Sequence, residues 1–299
     1  MSIVATVPDV SGRPAPSIFD RVFPRLRPSA ICIGAQKGGT SALSEYLACH
    51  PGVAPSKVKE IDFFNCPSRF ARGVDFYHSH FPRQTPLNRG RLTFDITPGY
   101  LFGGQKAAER IHGYNSRMKL IVLLRDPVAR AYSAWNMYRK YCRENPEWFS
   151  KWVNRCDQSR AEHQFDPRPA TFGTDFERDI RDEIVLLDQG RMIEMPLLAL
   201  GQYYKLLKPY FELFARNQIL VFSTEQMQQD TAGHLRRVES FAGLSSYNWS
   251  EKQLAPRFVG GYSDPIPPKA AETIESFYQA QNRELFKLLG AEFPWGRGV

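Results

Sequence analysis

The chain has 299 residues, 42% of them hydrophobic, and a formal net charge of +8, which is enough apolar content to bury the core of one large α/β domain. The positive balance suits an anionic ligand as well as a merely solvated surface, and with no run of 18 apolar residues a membrane span is not expected. Five cysteines without a CxxC pair and six histidines without ligand spacing argue against a zinc site. Unpaired thiols, with no basic start and apolar stretch in the first 30 residues, point to a reduced, cytoplasmic setting.

Residues 1–28 hold five prolines, from Pro8 to Pro28, and read as an extended or poorly ordered lead-in to one domain over 29–299. Ala30 to Ile33 is a short apolar strand entering Gly34, and Leu43, Tyr46 and Leu47 recur at helical spacing over Thr40 to Cys49. Leu92 to Ile96 predicts a buried strand closed by Thr97-Pro98-Gly99, followed by a helix around Ala107 to His112. Met118 to Leu124 is the strongest strand, and Pro127 after Arg125-Asp126 suits the first turn of a helix running to about Tyr141. Residues 144–173 are long and irregular, as lids and binding loops are. Helices are predicted over Phe176 to Asp188, Gly201 to Ala215, Leu235 to Phe241 and Ala270 to Leu289, with a last strand at Ile219 to Phe222. Strands alternating with helices predict a P-loop-like α/β fold: a central parallel sheet flanked by helices on both faces.

The stretch Gly34-Ala35-Gln36-Lys37-Gly38-Gly39-Thr40-Ser41 has the glycine spacing of a phosphate-binding loop. Thr40 stands where the lysine of an NTPase would be, and Lys37 lies inside the loop instead. An anion cradle at a helix N-terminus survives this change, but ATP handling with a metal does not follow from it. A nucleotide kinase or NTPase is therefore the weaker reading. The basic residues are dispersed, not interleaved with aromatics, and nucleic-acid binding is not expected.

Arg125 at a strand end and Ser133, eight residues on in the next helix, can grip a second phosphate. Otherwise Arg125 only pairs with Asp126 or a neighbour and Ser133 is a passive helix residue. Four segments in order carry a more definite message: the glycine loop, Lys59-Glu60-Ile61-Asp62-Phe63-Phe64, Asp95-Ile96-Thr97-Pro98-Gly99-Tyr100, and Leu123-Leu124-Arg125-Asp126-Pro127 through Arg130 and Ser133. Together they resemble the signatures of PAPS-dependent sulfotransferases, in particular the heparan sulfate group of glucosaminyl 3-O-sulfotransferases and the N-sulfotransferase domain. The likeness runs from about Ala30 to Leu289.

The resemblance implies that Lys37, Gly38, Gly39, Thr40 and Ser41 hold the 5′-phosphosulfate of PAPS, that Arg125 and Ser133 hold its 3′-phosphate, and that the product is PAP, with no metal. It implies that Glu60 is the general base and Lys37 assists the leaving phosphate; the plain alternative for Glu60 is an ion pair with Lys57 or Lys59. A loop bearing Arg257, Gly260, Gly261 and Tyr262 corresponds to a segment that closes over the nucleotide. Asp95 is a candidate to orient the acceptor or Lys37, or else a structural residue at a strand end. Trp148 and Trp152 can stack on an acceptor or form a helical core stripe. The acceptor implied is a glycan or glycosylated small molecule; a phenol, steroid, lipid or polyketide alcohol is the alternative. Two departures stand out: Ile96 replaces a lysine usual in the heparan sulfate group, and residues 244–299 lack the cysteines of that group's secretory members.

Overall fold

Alternation along four apolar strands sends successive side chains to opposite layers, and this decides the architecture. The computed structural model describes residues 22–147, 165–258 and 264–295. Strands β1 (Pro28–Gly34), β2 (Thr93–Ile96), β3 (Lys119–Leu124) and β4 (Ile219–Ser223) form a parallel sheet in the order β2-β1-β3-β4. Ile31 and Ile33 of β1 join Leu120, Val122 and Leu124 of β3 in one core, while Ala30 and Cys32 join Ile121 and Leu123 in a second. Both faces of the sheet are therefore covered, as continuous apolar runs require.

Seven helices of ten residues or more carry the covering layers among the described residues: α1 (Thr40–Cys49), α2 (Gly104–Tyr114), α3 (Pro127–Glu144), α4 (Phe176–Asp188), α5 (Tyr203–Leu213), α6 (Thr231–Ala242) and α7 (Pro268–Leu289). The first core is closed by Ala108 and Ile111 of α2, Leu207 and Tyr210 of α5, and Leu285 and Leu289 of α7. The second is closed by Leu43 and Leu47 of α1 and by Leu235, Val238 and Ala242 of α6. A third cluster joins Ala131 and Trp135 of α3 to Ile180 of α4 and Ile274 of α7.

The expected strands and long helices are all present, with ends displaced by a few residues. The segment expected as one helix from Gly201 is a 3₁₀ turn, Ala199–Gly201, followed by α5, which runs through Pro209. Residues 22–28 are not simply loose lead-in, since Leu26 donates to the Pro82 carbonyl at 2.9 Å and Pro28 opens β1. Residues 1–21 and 148–164 lie outside the described residues. Past that second stretch, Phe165–Asp166 pairs in parallel with Met192–Ile193. The chain leaves β1 toward β2 on one side and returns to β3 on the other, so β1 and β3 flank a topological switch point, the usual place for a ligand in such sheets.

Candidate active site

The glycine loop leaves β1 at Gly34 and is pressed against the end of β3. The Ala35 amide donates to the Leu123 carbonyl at 2.7 Å and Gly38 donates to Ala35 at 3.0 Å. A Cβ at Gly38 would stand 2.4 Å from the Leu123 carbonyl oxygen, so only glycine fits there. Gly39 takes φ 86° as the N-cap of α1 and supplies no side-chain cap, while Thr224 Oγ1 donates to the carbonyls of Gly38 and Leu124 at 2.8 and 2.9 Å. An uncapped first turn points its amides and its positive dipole end outward, which is an anion site. Lys37, at φ 65°, turns its side chain back to Met137, with Nζ 3.6 Å from Sδ.

Arg125 sits at the end of β3, where Tyr203 Oη donates to its carbonyl at 2.9 Å and its own Nη1 reaches the Lys37 carbonyl at 3.4 Å. Asp126, suggested as its partner in the plain reading, instead caps α3 by accepting from the Ala129 amide at 2.9 Å. Ser133 lies two turns along α3, and with Arg125, Lys37, Gly39, Thr40 and Ser41 it lines one cavity of about 980 Å³. Burial pushes the Lys37 ammonium down to about 8, and the charges of Arg125, Arg130 and Lys59 push in the same direction. Cations crowded this way raise one another's cost until an anion arrives.

Arg130 is the residue that sequence reasoning left without a role. It is three positions before Ser133, hence on the same side of α3, it is fully buried, and all three of its guanidinium nitrogens lack a hydrogen-bond partner among the described residues. Glu183, a carboxylate near enough to act on the same tyrosines Tyr138 and Tyr278, is taken up by other donors: the amides of Leu197, Leu198 and Ala199 and the guanidinium of Arg168. The only advance signal for Arg130 was its presence in the fourth motif; nothing in the spacing shows that it is buried.

Glu60 lines the same cavity, close enough for its charge to act on Lys37. Its backbone is left-handed, φ 62°, as is that of Asp62, φ 52°, a conformation that non-glycine residues hold only when the surroundings impose it. The imposing contacts are visible: the Glu60 amide donates to the Ile96 carbonyl at 3.1 Å, the Ile61 amide to Thr97 Oγ1 at 3.0 Å and the Phe63 amide to Tyr100 Oη at 3.1 Å. The ion pair foreseen as the plain alternative is also present, Lys59 Nζ standing 2.7 Å from Glu60 Oε1. Thus Glu60 is both paired and on the cavity.

Asp95 must be corrected as a substrate-contacting candidate. It is fully buried and accepts from Thr97 Oγ1 at 2.6 Å and from Tyr77 and Tyr100 Oη at 2.8 Å each. It does not reach the cavity wall; through Thr97 and Tyr100 it holds the Glu60 to Phe63 segment in place. Burial raises its carboxyl to about 6 despite those donors. Ile96, the departure from the family pattern, packs into the second core.

Arg257 lines the cavity and pairs with Glu45 at 2.8 Å, while Gly260, Gly261, Tyr262, Trp148 and Trp152 lie outside the described residues. Further wall comes from Asp62 of the second motif and from side chains that no motif marked: Asn65, Phe102, Tyr141, Phe165, and Glu194 to Pro196. Among the described residues no group of three or more His, Cys, Asp or Glu side chains is placed to hold a metal, and no helix is long and apolar enough to cross a membrane.

A parallel α/β sheet with a glycine loop and clustered cations at its switch point defines a protein built to hold an anionic ligand beside a second, carboxylate-bearing wall. The chain belongs to the sulfotransferase domain family, whose model matches residues 27–255, and it is therefore an enzyme of the transferase class. It is 29% identical to mouse heparan sulfate glucosamine 3-O-sulfotransferase 3B1, an alignment covering 96% of this chain and 70% of that one. Among solved structures, a sulfotransferase from Alicyclobacillus acidocaldarius superposes with a TM-score of 0.65 at 24% identity, covering 89% of this chain and 97% of the other. The mouse sulfotransferase SULT7A1 complexed with PAP shares the fold at a TM-score of 0.51 and 12% identity, with 89% and 90% of the two chains covered.

Proposed function

We propose that this enzyme moves a sulfuryl group from PAPS to a hydroxyl or amine of a carbohydrate or glycosylated metabolite, with Glu60 as the general base. The observation that carries the reading is one cavity lined at once by the glycine loop, by Arg125 and Ser133, and by Glu60. The carbohydrate acceptor is supported by the relative that acts, by its name, on heparan sulfate glucosamine.

Whether the residues fit such a donor is tested by Arg130. A buried guanidinium with no partner is costly on its own and gains only when a negative charge comes near. Arg130 is not on the cavity wall but lies near enough to act on Lys37, and with Lys37 and Arg125 it adds to a positive charge that a 3′,5′-bisphosphate nucleotide, with anions at two ends, is suited to meet. Loop amides from Gly38 to Ser41, with Lys37, would hold the 5′ end; Arg125 and Ser133 would hold the 3′-phosphate. When bound, PAPS supplies an activated sulfuryl group and a nucleotide leaving part. The work left to the chain is positioning and charge stabilisation. Lys37 places positive charge where the leaving oxygen becomes negative, and Glu60 accepts the acceptor's proton. A reducing, cytoplasmic setting belongs to the same proposal and is supported, among the described residues, by the unbridged thiols of Cys32, Cys49 and Cys142.

Calorimetric titration tests the donor. PAP is expected to bind at least about a hundredfold more tightly than AMP, because AMP leaves the Arg125 site unpaired; equal affinity would overturn the reading. The pH dependence follows from Lys37. Free Lys37 loses its proton near pH 8, and a bound anion favours the charged form, so the complex retains a proton that the free enzyme has given up. Affinity for PAP is expected to be level below pH 8 and to fall by up to about tenfold per unit above it, the limit for one linked proton. Lys37→Arg should bind with no such fall up to pH 10, and an unchanged profile in that variant would place the titration elsewhere.

A further inference from the structure

We infer that Arg130 is a positioning residue whose charge the protein leaves unbalanced and the donor's phosphates balance, so that part of the fold's stability is realised only when the donor binds. The inference rests on the donor reading above, in which the wall around Glu60, Phe102 and Glu194 is left to the acceptor. Arg130, Ser133 and Met137 stand at i, i+3 and i+7 of α3 and share one face of that helix. Ser133 and Met137 line the cavity, and Met137 Sδ is 3.6 Å from Lys37 Nζ. Arg130 lies one turn nearer the start of the helix and has no exposed surface.

The side chains around Arg130 lead to both halves of the donor site. Its charge acts on Lys37, on Tyr138, whose Oη donates to Gln36 Oε1 of the glycine loop at 2.9 Å, and on Tyr203, whose Oη donates to the Arg125 carbonyl at 2.9 Å. It acts as well on Tyr278, whose Oη donates to the Leu198 carbonyl, and a Cβ on Gly201 would stand 3.3 Å from Arg130 Nε. None of the three guanidinium nitrogens has a hydrogen-bond partner among the described residues. Glu183 acts on Tyr138 and Tyr278 too, but its charge is matched by Arg168 at 2.9 Å, so the three groups together keep one positive charge. The charges acting on Lys37 are Arg125, Arg130 and Lys59 against Glu60, which Lys59 already pairs at 2.7 Å. An ammonium in such a place can shed its proton, but a guanidinium cannot. Burying it unpaired costs stability that an apolar side chain would not cost. Approaching phosphates reverse the balance, because attraction inside the protein is screened far less than in water.

The experiment sets ligand-free melting against PAP titration. Arg130→Met without ligand is expected to melt about 2 °C or more above wild type, yet to bind PAP about tenfold more weakly at pH 7. Removing the guanidinium also removes one of the charges that hold Lys37 down to about 8, so Lys37 keeps its proton to higher pH in the variant. The gap in PAP affinity is therefore expected to narrow from about pH 8 to about pH 9, because wild type weakens first. A side chain that only props the fold would leave the two profiles parallel. Arg130→Lys keeps a charge and should bind PAP within about threefold of wild type at pH 6.5. Arg130→Leu is the second, shorter neutral variant and should follow Arg130→Met. The inference is overturned if both neutral variants melt below wild type, if a folded neutral variant binds PAP as tightly as wild type, or if the affinity gap stays constant over that pH range. Wild type binding PAP no better than AMP would count against the donor reading, and the ligand-free melting temperatures would still decide whether the charge is unbalanced.

Discussion

Glu60→Gln is expected to lower kcat by about a thousandfold, within the ~10²–10⁴ span of general-base catalysis, while changing PAP affinity by less than about threefold. The amide keeps the shape of the carboxylate and can still accept from Lys59 Nζ, which stands 2.7 Å away, so the left-handed turn at φ 62° loses none of its backbone contacts. What it loses is the ability to take a proton. Single-turnover transfer of label from PAPS, run beside calorimetry with PAP, separates the two effects. Activity within tenfold of wild type would move the base to Asp62, which lines the same cavity and accepts from Asn65 Nδ2 at 3.1 Å. It would not move it to Asp95, which is sealed behind Thr97, Tyr77 and Tyr100.

The contrast between Glu60 and Asp95 shows how far the sequence reaches. Continuous apolar runs in β1 and β3 and a proline opening α3 announce themselves, because their causes are local: a stretch of apolar side chains and a missing amide. The glycine loop is legible for the same reason, since Gly38 packs where no Cβ fits. Asp95 and Glu60 are both acidic residues in family-like motifs, and only the long-range bonds from the Ile61 amide to Thr97 and from the Phe63 amide to Tyr100 separate a scaffold carboxylate from one on the cavity.

Arg130 and the acceptor wall were hidden by a different cause. Charged residues are ordinarily read as solvated, so a guanidinium with zero exposure and no hydrogen-bond partner among the described residues is invisible until α3 is packed against Gly201 and Tyr278, where a Cβ on that glycine would clash with Tyr278 Oη. Gly201 contributes close packing beside Arg130 and Tyr278, and Tyr203 a hydrogen bond to the Arg125 carbonyl.

Glu183→Leu is expected to be the most destabilising of the substitutions considered, by about 3–5 kcal/mol, the cost of breaking a buried ion pair and stranding its partner, out of a total of roughly 5–15 kcal/mol. Glu183 Oε1 accepts from the Leu198 and Ala199 amides at 2.8 and 3.0 Å, and Oε2 from the Leu197 amide at 2.7 Å and Arg168 Nη2 at 2.9 Å. Arg168 in turn donates to the carbonyls of Glu194 and Met195, both at 2.8 Å. The pair therefore grips the turn that carries Glu194, Met195 and Pro196 onto the acceptor wall, from its carbonyl side and its amide side together. Leucine fills the volume but leaves three amides without acceptors and a guanidinium without its counter-charge in a site where both partners are below 5% exposed. Adding Arg168→Met should recover only part of the loss, because the stranded charge disappears while the three amides stay unpaired. Urea unfolding measures this, and a Glu183→Leu protein within about 1 kcal/mol of wild type, the level of a solvated surface pair, would refute the clamp. Glu183→Gln keeps one good acceptor and should stay folded. Its PAP affinity should be unchanged, but its KM for the acceptor should rise, since the wall it holds belongs to the acceptor and not to the donor.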